Sequence, residues 1–529
     1  MTHLKRRCMV LAGLCLSATL VFAAAQDEGA EMGPDVVTVM TWENDDASYP
    51  LTGEQPIIDL VEQELNIEFD WRVVPIAELG KQLALLIASG SEMPDIFTAH
   101  PEGLTPSEMA DKGVIIPWSD KLDAGEMPKL SAKLSQPAYQ AYKGAVSERD
   151  GRILGLPSIL PNRFNYWALL IRQDWLSNAG VDVPETVDDY QEALSALVAG
   201  DANGNGQADE IGWSSYYGGS NWVVKWYPSF GIGYLSGQPS GDDHYAVEDD
   251  QVYFVPTSDR FRAMLEWLNG MFEAGLIDQD IFQLDSPKFN SQYQQMVSFH
   301  LWLHVAASIT GTLRGEQSED AHVIPILEPT SAVWDGSDRF YPRDSATIWS
   351  NFLAKAGPNT DAAVRVVDYT LGDTEFPLKG EIGIEGEHHV MEDGEVKFIG
   401  KWAELPSRFY PMGSAVGRIA REYVLYENNR ASAVEPLWQD VRDFEELISP
   451  WAGAFVFWKL TGDESEVVQA SRKGFDDYVD EMVAKFISGQ ESFSGWDAYV
   501  DTVNRIAGEE IDAALAVYQG YYDEFLKGM

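Results

Sequence analysis

The sequence predicts an α/β fold that opens with a parallel sheet. Three observations carry this reading. Apolar runs in the first hundred residues alternate between strand and helix spacing, in the order strand, helix, strand, helix, strand. The composition is that of a globular chain, 45% hydrophobic and 23% charged. The 529 residues suffice for two or three domains with a sizeable core, at about 100–200 residues per domain. Val36-Val37-Thr38-Val39-Met40 has a buried-strand pattern, and Gln55 to Leu65 has helical spacing through Ile57, Ile58, Val61 and Leu65. Ile67 to Val73 alternates as a second strand. Leu79 to Ser89 is an amphipathic helix that Gly90 ends, and Pro94-Asp95-Ile96-Phe97 enters the core as a third strand.

Further along, Ile153 to Pro157 and Trp167 to Arg172 read as strands. Asp174 to Ala179, Val187 to Val198 and Phe261 to Ala274 read as helices, the last ended by Gly275. The C-terminal third is mostly helical: Arg418 to Asn428, Glu464 to Ile487, Trp496 to Ile506 and Glu509 to Leu526. No repeat of fixed period and no low-complexity tract is evident.

The chain carries 84 acidic and 37 basic residues, for a net charge of −47. Such a surface excludes nucleic acid and anionic lipid as partners, since both demand positive charge. Residues 1–25 have the layout of a signal peptide: Lys5, Arg6 and Arg7, an apolar run from Met9 to Phe22, and Ala23-Ala24-Ala25 before Gln26. That run is short for a membrane span, which takes about 20 residues. Removing three bases and no acids takes the charge to −50. Residues 26–35 are expected to be a flexible start. Cys8 and Cys15 both lie in the leader, so no disulfide or thiol chemistry is expected afterwards. Leu14 and Arg7 precede them, which is not a lipidation sequence, so no lipid anchor is expected. Arg6-Arg7 permits twin-arginine export, although an ordinary basic leader is the simpler reading.

Asp201-Ala202-Asn203-Gly204-Asn205-Gly206-Gln207-Ala208-Asp209-Glu210 is the sharpest motif. Oxygen-bearing side chains fall at loop positions 1, 3, 5 and 9, with glycine at position 6. Alternate positions of a tight loop converge on one point, as a hard cation such as Ca²⁺ requires. The expected ligands are Asp201, Asn203, Asn205, Gln207 through its carbonyl, Asp209 and Glu210. Position 12, where an EF-hand carries glutamate, is Gly212, so Glu210 would close the site. The competing reading is a solvated Asx/Gly turn. Any such ion is structural, because no nucleophile or base stands beside it.

Several segments together resemble the family 1 extracellular solute-binding proteins of ABC transporters. These are Leu85 to Gly90 with Pro94-Asp95-Ile96, Asp111 to Trp118, Asp150 to Pro157, and Leu170 to Leu176 with Val183 to Thr186. Phe272 to Asp278, Ile384 to His389, Phe486 to Gln490, Trp496 to Val500 and Tyr518 to Asp523 continue the likeness in order. The calcium loop resembles that of the branch binding large oligosaccharides, alginate-binding proteins among them. The resemblance implies a two-lobed periplasmic-binding-protein fold of type II kind, with a ligand cleft between lobes and a helix-rich C-terminal part. It implies residues 36–162 plus about 325–405 in one lobe and 163–324 plus about 406–529 in the other. It further implies a periplasmic or extracellular monomer that delivers a carbohydrate to a membrane permease.

Sugars present flat C–H faces ringed by hydroxyls, which suits an aromatic floor with polar neighbours. With 17 Trp in the chain, candidates are many. Trp42 and Glu43 follow the first strand, where α/β sheets bind ligands. Tyr166 and Trp167 stand near the expected lobe crossover. Trp213, Trp222 and Trp226 lie with two Tyr in a 14-residue stretch beside the loop. Trp302, Trp349 and, more weakly, Arg408 complete the set; the alternative is hinge packing for Tyr166 and Trp167, and core packing for Trp42 and Arg408. Arg163, Arg343 and Arg408 are the cations that an acidic sugar would need. A peptide or other solute is the alternative ligand.

A secreted carbohydrate-active enzyme is the remaining class. No Gly-x-Ser-x-Gly, His-Glu-x-x-His or P-loop sequence occurs. His388-His389 reads as a solvated loop, because adjacent residues of an extended chain point opposite ways.

Overall fold

A computed structural model describes residues 33–42, 56–98, 104–159 (except 140–142 and 145), 167–216, 222–235 (except 234), 244–334, 346–400 (except 374, 375, 377, 378, 380–382, 393 and 394), 439–441, 443, 444, 447 and 460–526. Two sheets organise the chain from Asp35 onward. The first is ordered β2-β1-β3-β12-β4, with β5 also on β12. Its strands are β1 (Asp35–Thr41), β2 (Ile67–Val73), β3 (Ile96–Phe97), β4 (Ile115–Ile116), β5 (Leu156–Ile159) and β12 (Ala346–Ala354). β1 pairs parallel with β2 and with β3, as the strand–helix alternation predicts. β12 arrives from far along the chain and runs antiparallel to β3, β4 and β5, which local periodicity did not anticipate.

Both faces of this sheet are buried, which explains its apolar strands. Val37, Val39, Ile96 and Leu353 pack on one side with helices Pro56–Leu65 and Thr360–Gly372. Met40, Phe97 and Phe352 pack on the other with Leu79 and Leu83 of helix Ile76–Ser89. Gly90 caps that helix with φ 63°.

Asp95 fastens the returning strand. Its carboxylate is fully buried and accepts the Thr38 N–H at 2.9 Å from β1 and the Asn359 N–H from the turn after β12. Its own carbonyl accepts Ala354 N–H at 3.0 Å. Burial pushes the Asp95 carboxyl up, against the two backbone donors that hold it down. The turn fits so closely that a Cβ at Gly357 would stand 2.6 Å from Asp95 Oδ1.

The second sheet is ordered β11-β6-β10-β7, from β6 (Trp167–Arg172), β7 (Ile211–Ser215), β10 (Met296–Trp302) and β11 (Val323–Ile326). β10 is parallel to β7 and antiparallel to β6, so this sheet is mixed. Leu169 and Ile171 of β6 face a large core built with helices Val187–Val198, Asp259–Glu273, Gly462–Ile487 and Trp496–Tyr521. Ala168 and Leu170 face the opposite side, with Phe289, Ile309, Val441 and Phe444. Hairpins β8 (Tyr245–Glu248) with β9 (Gln251–Phe254), and β13 (His389–Glu392) with β14 (Glu395–Phe398), stand apart from both sheets.

Two expectations are corrected. The last helix runs unbroken from Trp496 to Tyr521 and on into a π turn at Tyr522–Leu526, through Gly508, where the sequence suggested a break. Val503, Ala507, Ile511 and Ala514 form one buried face against the preceding helix, and this packing overrides the glycine. His388 and His389 are buried, each 4% exposed, and His388 Nδ1 accepts the Ile384 N–H at 2.8 Å. They are turn and strand residues, not a solvated loop. The expected helix Arg418 to Asn428 lies outside the described residues.

Replacing Asp95 by Ala strands two backbone N–H groups, that of Thr38 buried and that of Asn359 part-buried. We expect Asp95→Ala to lose about 2–6 kcal/mol in urea unfolding, at about 1–3 kcal/mol for each orphaned group.

Candidate functional site

Register places an aromatic cluster at one edge of the second sheet. β7 and β10 run parallel with His300 opposite Ser215, and Trp302 at the end of β10 pairs with Trp167 at the start of β6. Tyr216 follows β7 directly. The three rings therefore meet beyond the carboxyl ends of the two parallel strands, where α/β sheets present ligands. Centroids lie 4.8 Å apart for Trp167–Trp302, 5.1 Å for Tyr216–Trp302 and 6.4 Å for Trp167–Tyr216. All three rings are half-buried. Lys225, buried in the 3-10 turn Val223–Trp226, holds its Nζ 4.3 Å from the centre of the Trp167 ring. A cation over an indole face is favourable by about 0.5–2 kcal/mol, which fixes that ring.

The three tryptophans expected to offer a face to ligand do not. Trp213 and Trp222 have no exposed surface and Trp226 has 1%. Trp213 packs 5.2 Å from Trp222 and 5.3 Å from Trp226, and Trp226 packs on Tyr190 and Trp267. These rings fill the space between the sheet and its helices, and Ser214 and Ser215 beside them in sequence are themselves fully buried. Trp213 Nε1 donates to His300 Nδ1 at 3.2 Å, so the neutral imidazole carries its proton on Nε2. Burial first, and then the Lys225 charge, push the His300 pKa well below the ordinary histidine value.

Trp42 lies just past β1 and is half-buried against the core cluster that contains Met40, Leu79 and Phe97. Beside it Thr98 Oγ1 donates to Thr41 Oγ1 at 3.0 Å, joining the carboxyl ends of β1 and β3. Trp349 belongs to β12. Glu43, Tyr166 and Arg408 lie outside the described residues, as do Arg163 and Arg343. Tyr216 and Lys225 were not singled out in the sequence. Tyr216 lay within the aromatic-rich stretch, but only strand register separates it from its buried neighbours.

The Asp201–Glu210 loop is drawn inward by its own polar groups. Asp201 accepts the Gly206 N–H at 3.0 Å, and Asn203 and Asn205 accept the N–H groups two residues on, at 2.9 and 2.7 Å. The Asn203 and Asn205 amides donate to Asp209 at 2.9 and 3.0 Å. Gln295, next to β10, donates to it at 3.1 Å. The Gln295 bond, then that of Asn203, holds the Asp209 carboxyl below its ordinary range. Glu210 Oε1 accepts the Asn203 N–H, while its Oε2 is buried with no hydrogen-bond partner among the described residues. No three His, Cys, Asp or Glu side chains there form a metal-binding group among the described residues. The loop is nonetheless suited to a cation. Asp201, Asp209 and Glu210 bring carboxylates to it, and the orphaned Glu210 oxygen calls for a partner. Gly212 cannot supply a ligand, since a Cβ there would stand 2.4 Å from the Leu276 carbonyl oxygen.

Residues 50–274 match the family model for bacterial extracellular solute-binding proteins. The fructooligosaccharide ABC transporter substrate-binding protein FusA of Streptococcus pneumoniae is 33% identical over 514 residues, covering 90% of this chain and 89% of that protein. This chain is a bacterial extracellular solute-binding protein. FusA in complex with kestose superposes on this solute-binding protein with a TM-score of 0.73 at 20% identity, over 94% of this chain and 100% of the other. Its EF-hand mutant in complex with fructo-nystose gives 0.72 with the same coverage, also at 20% identity. The alginate-binding protein AlgQ2 without calcium ion gives 0.71 at 16% identity, over 93% and 98% of the two chains. The fold is thus the two-lobed one of solute-binding proteins. No helix among the described residues is long and apolar enough to cross a membrane.

The neutral His300 makes acid sensitivity testable. With its folded pKa depressed, stability is complete above the unfolded value of about 6.5 and falls below it, by about 1.4 kcal/mol per pH unit, because only the unfolded chain takes up the proton. His300→Phe should flatten the decline in urea midpoint between pH 7 and pH 5 relative to wild type.

Proposed function

We propose that this chain is the substrate-binding component of an ABC importer that captures a neutral oligosaccharide. The observation carrying the proposal is the half-buried Trp167–Tyr216–Trp302 cluster at the carboxyl ends of β7 and β10. Aromatic rings with polar edges match the C–H faces of sugars. Its likeness to a fructooligosaccharide-binding protein supports the same ligand class. The Trp42 end of the first sheet supplies the facing wall of an interlobe cleft, closing on a hinge. One lobe takes 36–162 with about 325–405, and the other takes the remainder from residue 163. A leader in residues 1–25 exports the chain, which works as a free monomer, and no reaction is assigned to it.

The same proposal gives Asp201, Asn203, Asn205, Gln207, Asp209 and Glu210 a structural Ca²⁺. The orphaned Glu210 oxygen and the EF-hand of FusA support this. Bound there, the ion would neutralise the loop's carboxylates. Asp209 connects the loop through Gln295 to the start of β10, so the loop braces the strand that ends in Trp302.

Calorimetry with kestose should show Trp302→Ala binding at least about tenfold more weakly than wild type. Trp222→Phe should bind normally while melting lower. Undiminished binding by Trp302→Ala would remove the cluster from the site. For calcium, adding the ion at about 100 times its Kd to chelator-treated protein should stabilise it by about 2.7 kcal/mol. Glu210→Ala should abolish that gain, and a wild-type melting curve indifferent to Ca²⁺ would refute the assignment.

A further inference from the structure

A cavity of about 560 Å³ opens beside the aromatic cluster and shares two of its rings. This volume is within the range of about 300–1,000 Å³ usual for small-molecule sites. One wall is aromatic: Trp302 and Tyr216, then Tyr293. Phe289 stands behind, 5.6 Å from Tyr216 and 5.4 Å from Tyr293, and keeps the rings in one continuous array. The rest of the lining includes one stripe of helix Ala306–Glu316 and the residue before it. Val305, Ile309, Thr312, Leu313 and Glu316 recur at the spacing that puts side chains on a single helical face. That stripe leads away from Trp302 for about 16 Å, at 1.5 Å per residue.

Asn290, Ser291 and Gln294 form an exposed rim. Among the described lining residues Glu316 is the one charged group, and Gln294 Nε2 donates to it at 3.1 Å. None of the described lining residues is cationic, which does not favour an anionic sugar. Ring faces along one side and uncharged amides and hydroxyls at the rim suit a chain of neutral sugar rings.

We infer that this cavity is a side chamber of the saccharide site. It receives one end of a longer neutral oligosaccharide whose other units lie on the Trp167–Tyr216–Trp302 cluster. The inference rests on the saccharide-binding reading above, and it adds a length preference set by the chamber rather than by the cleft. Thr312 is exposed on the helix stripe, so a larger side chain there enters the chamber.

The test measures affinity by calorimetry for kestose and for a ladder of longer neutral fructooligosaccharides, in wild type, Thr312→Trp and Ser291→Trp. Wild type should bind the longer members more tightly than kestose. Each plugged variant should lose about tenfold for the longer members and keep its affinity for kestose. Unchanged affinity at every length in both variants, or an equal loss at every length in a protein that melts normally, would overturn the chamber. Trp302→Ala separates the two readings. If it still loses kestose binding while the plugs do nothing, the saccharide site stands and the chamber falls. If wild type binds no member of the ladder, both fall.

Discussion

One buried carboxylate holds the first sheet closed. Asp95 reaches β1 through Thr38 and the turn after β12 through Asn359, positions 57 and 264 residues away in the chain. A charge is costly to bury unless donors surround it, and here the donors are backbone groups of a strand and of a turn that must be neighbours. The same bonds that satisfy the carboxylate therefore specify that β12, after an excursion through the whole second sheet, returns beside β3. The loop ends of β1 and β3, with Trp42 and the Thr41–Thr98 contact, take their places from that return.

The second sheet divides labour between its two ends. At one end Asp209 and Gln295 couple the acidic loop to the start of β10. At the other, Trp167, Tyr216 and Trp302 converge. Between them lies a Trp-rich interior in which Trp213, Trp226 and a neutral His300 fill the gap to the helices. The aromatic residues of this sheet thus have two settings, full burial in the middle and half-burial at the edge. Distance along β7 and β10, not residue type, separates them.

That separation marks what sequence can reveal. The strands and helices of the first hundred residues were legible because each follows a local period, and β6 and helix Val187–Val198 were legible to the residue. The antiparallel return of β12 was not, since it depends on contacts across hundreds of residues. Among the aromatics, Trp302 and Trp167 stand half-buried at strand ends, whereas Trp213, Trp222 and Trp226 lie in the interior. Their polar neighbours suggested a surface, but a strand alternates its faces and a 3-10 turn can bury a whole segment. Lys225 went unnoticed because a lysine signals nothing until the Trp167 ring beneath it is seen. The tight turn of the acidic loop was legible, since its spacing is local and its Asp and Asn oxygens accept the N–H groups further along it.

Gly212 sets a limit on that loop. It belongs to β7 and lies against the Leu276 carbonyl, with Trp213 N–H bonded to the same oxygen at 2.8 Å. Loop and strand therefore share a boundary that neither can move alone. Adding or removing one residue between Glu210 and Gly212 would shift β7 by one position and turn every side chain to the opposite face. Trp213 would leave its interior, and Tyr216 would no longer arrive beside Trp302. The length of the loop is thus counted by the sheet, and a foreign loop could be grafted here only if it kept that count.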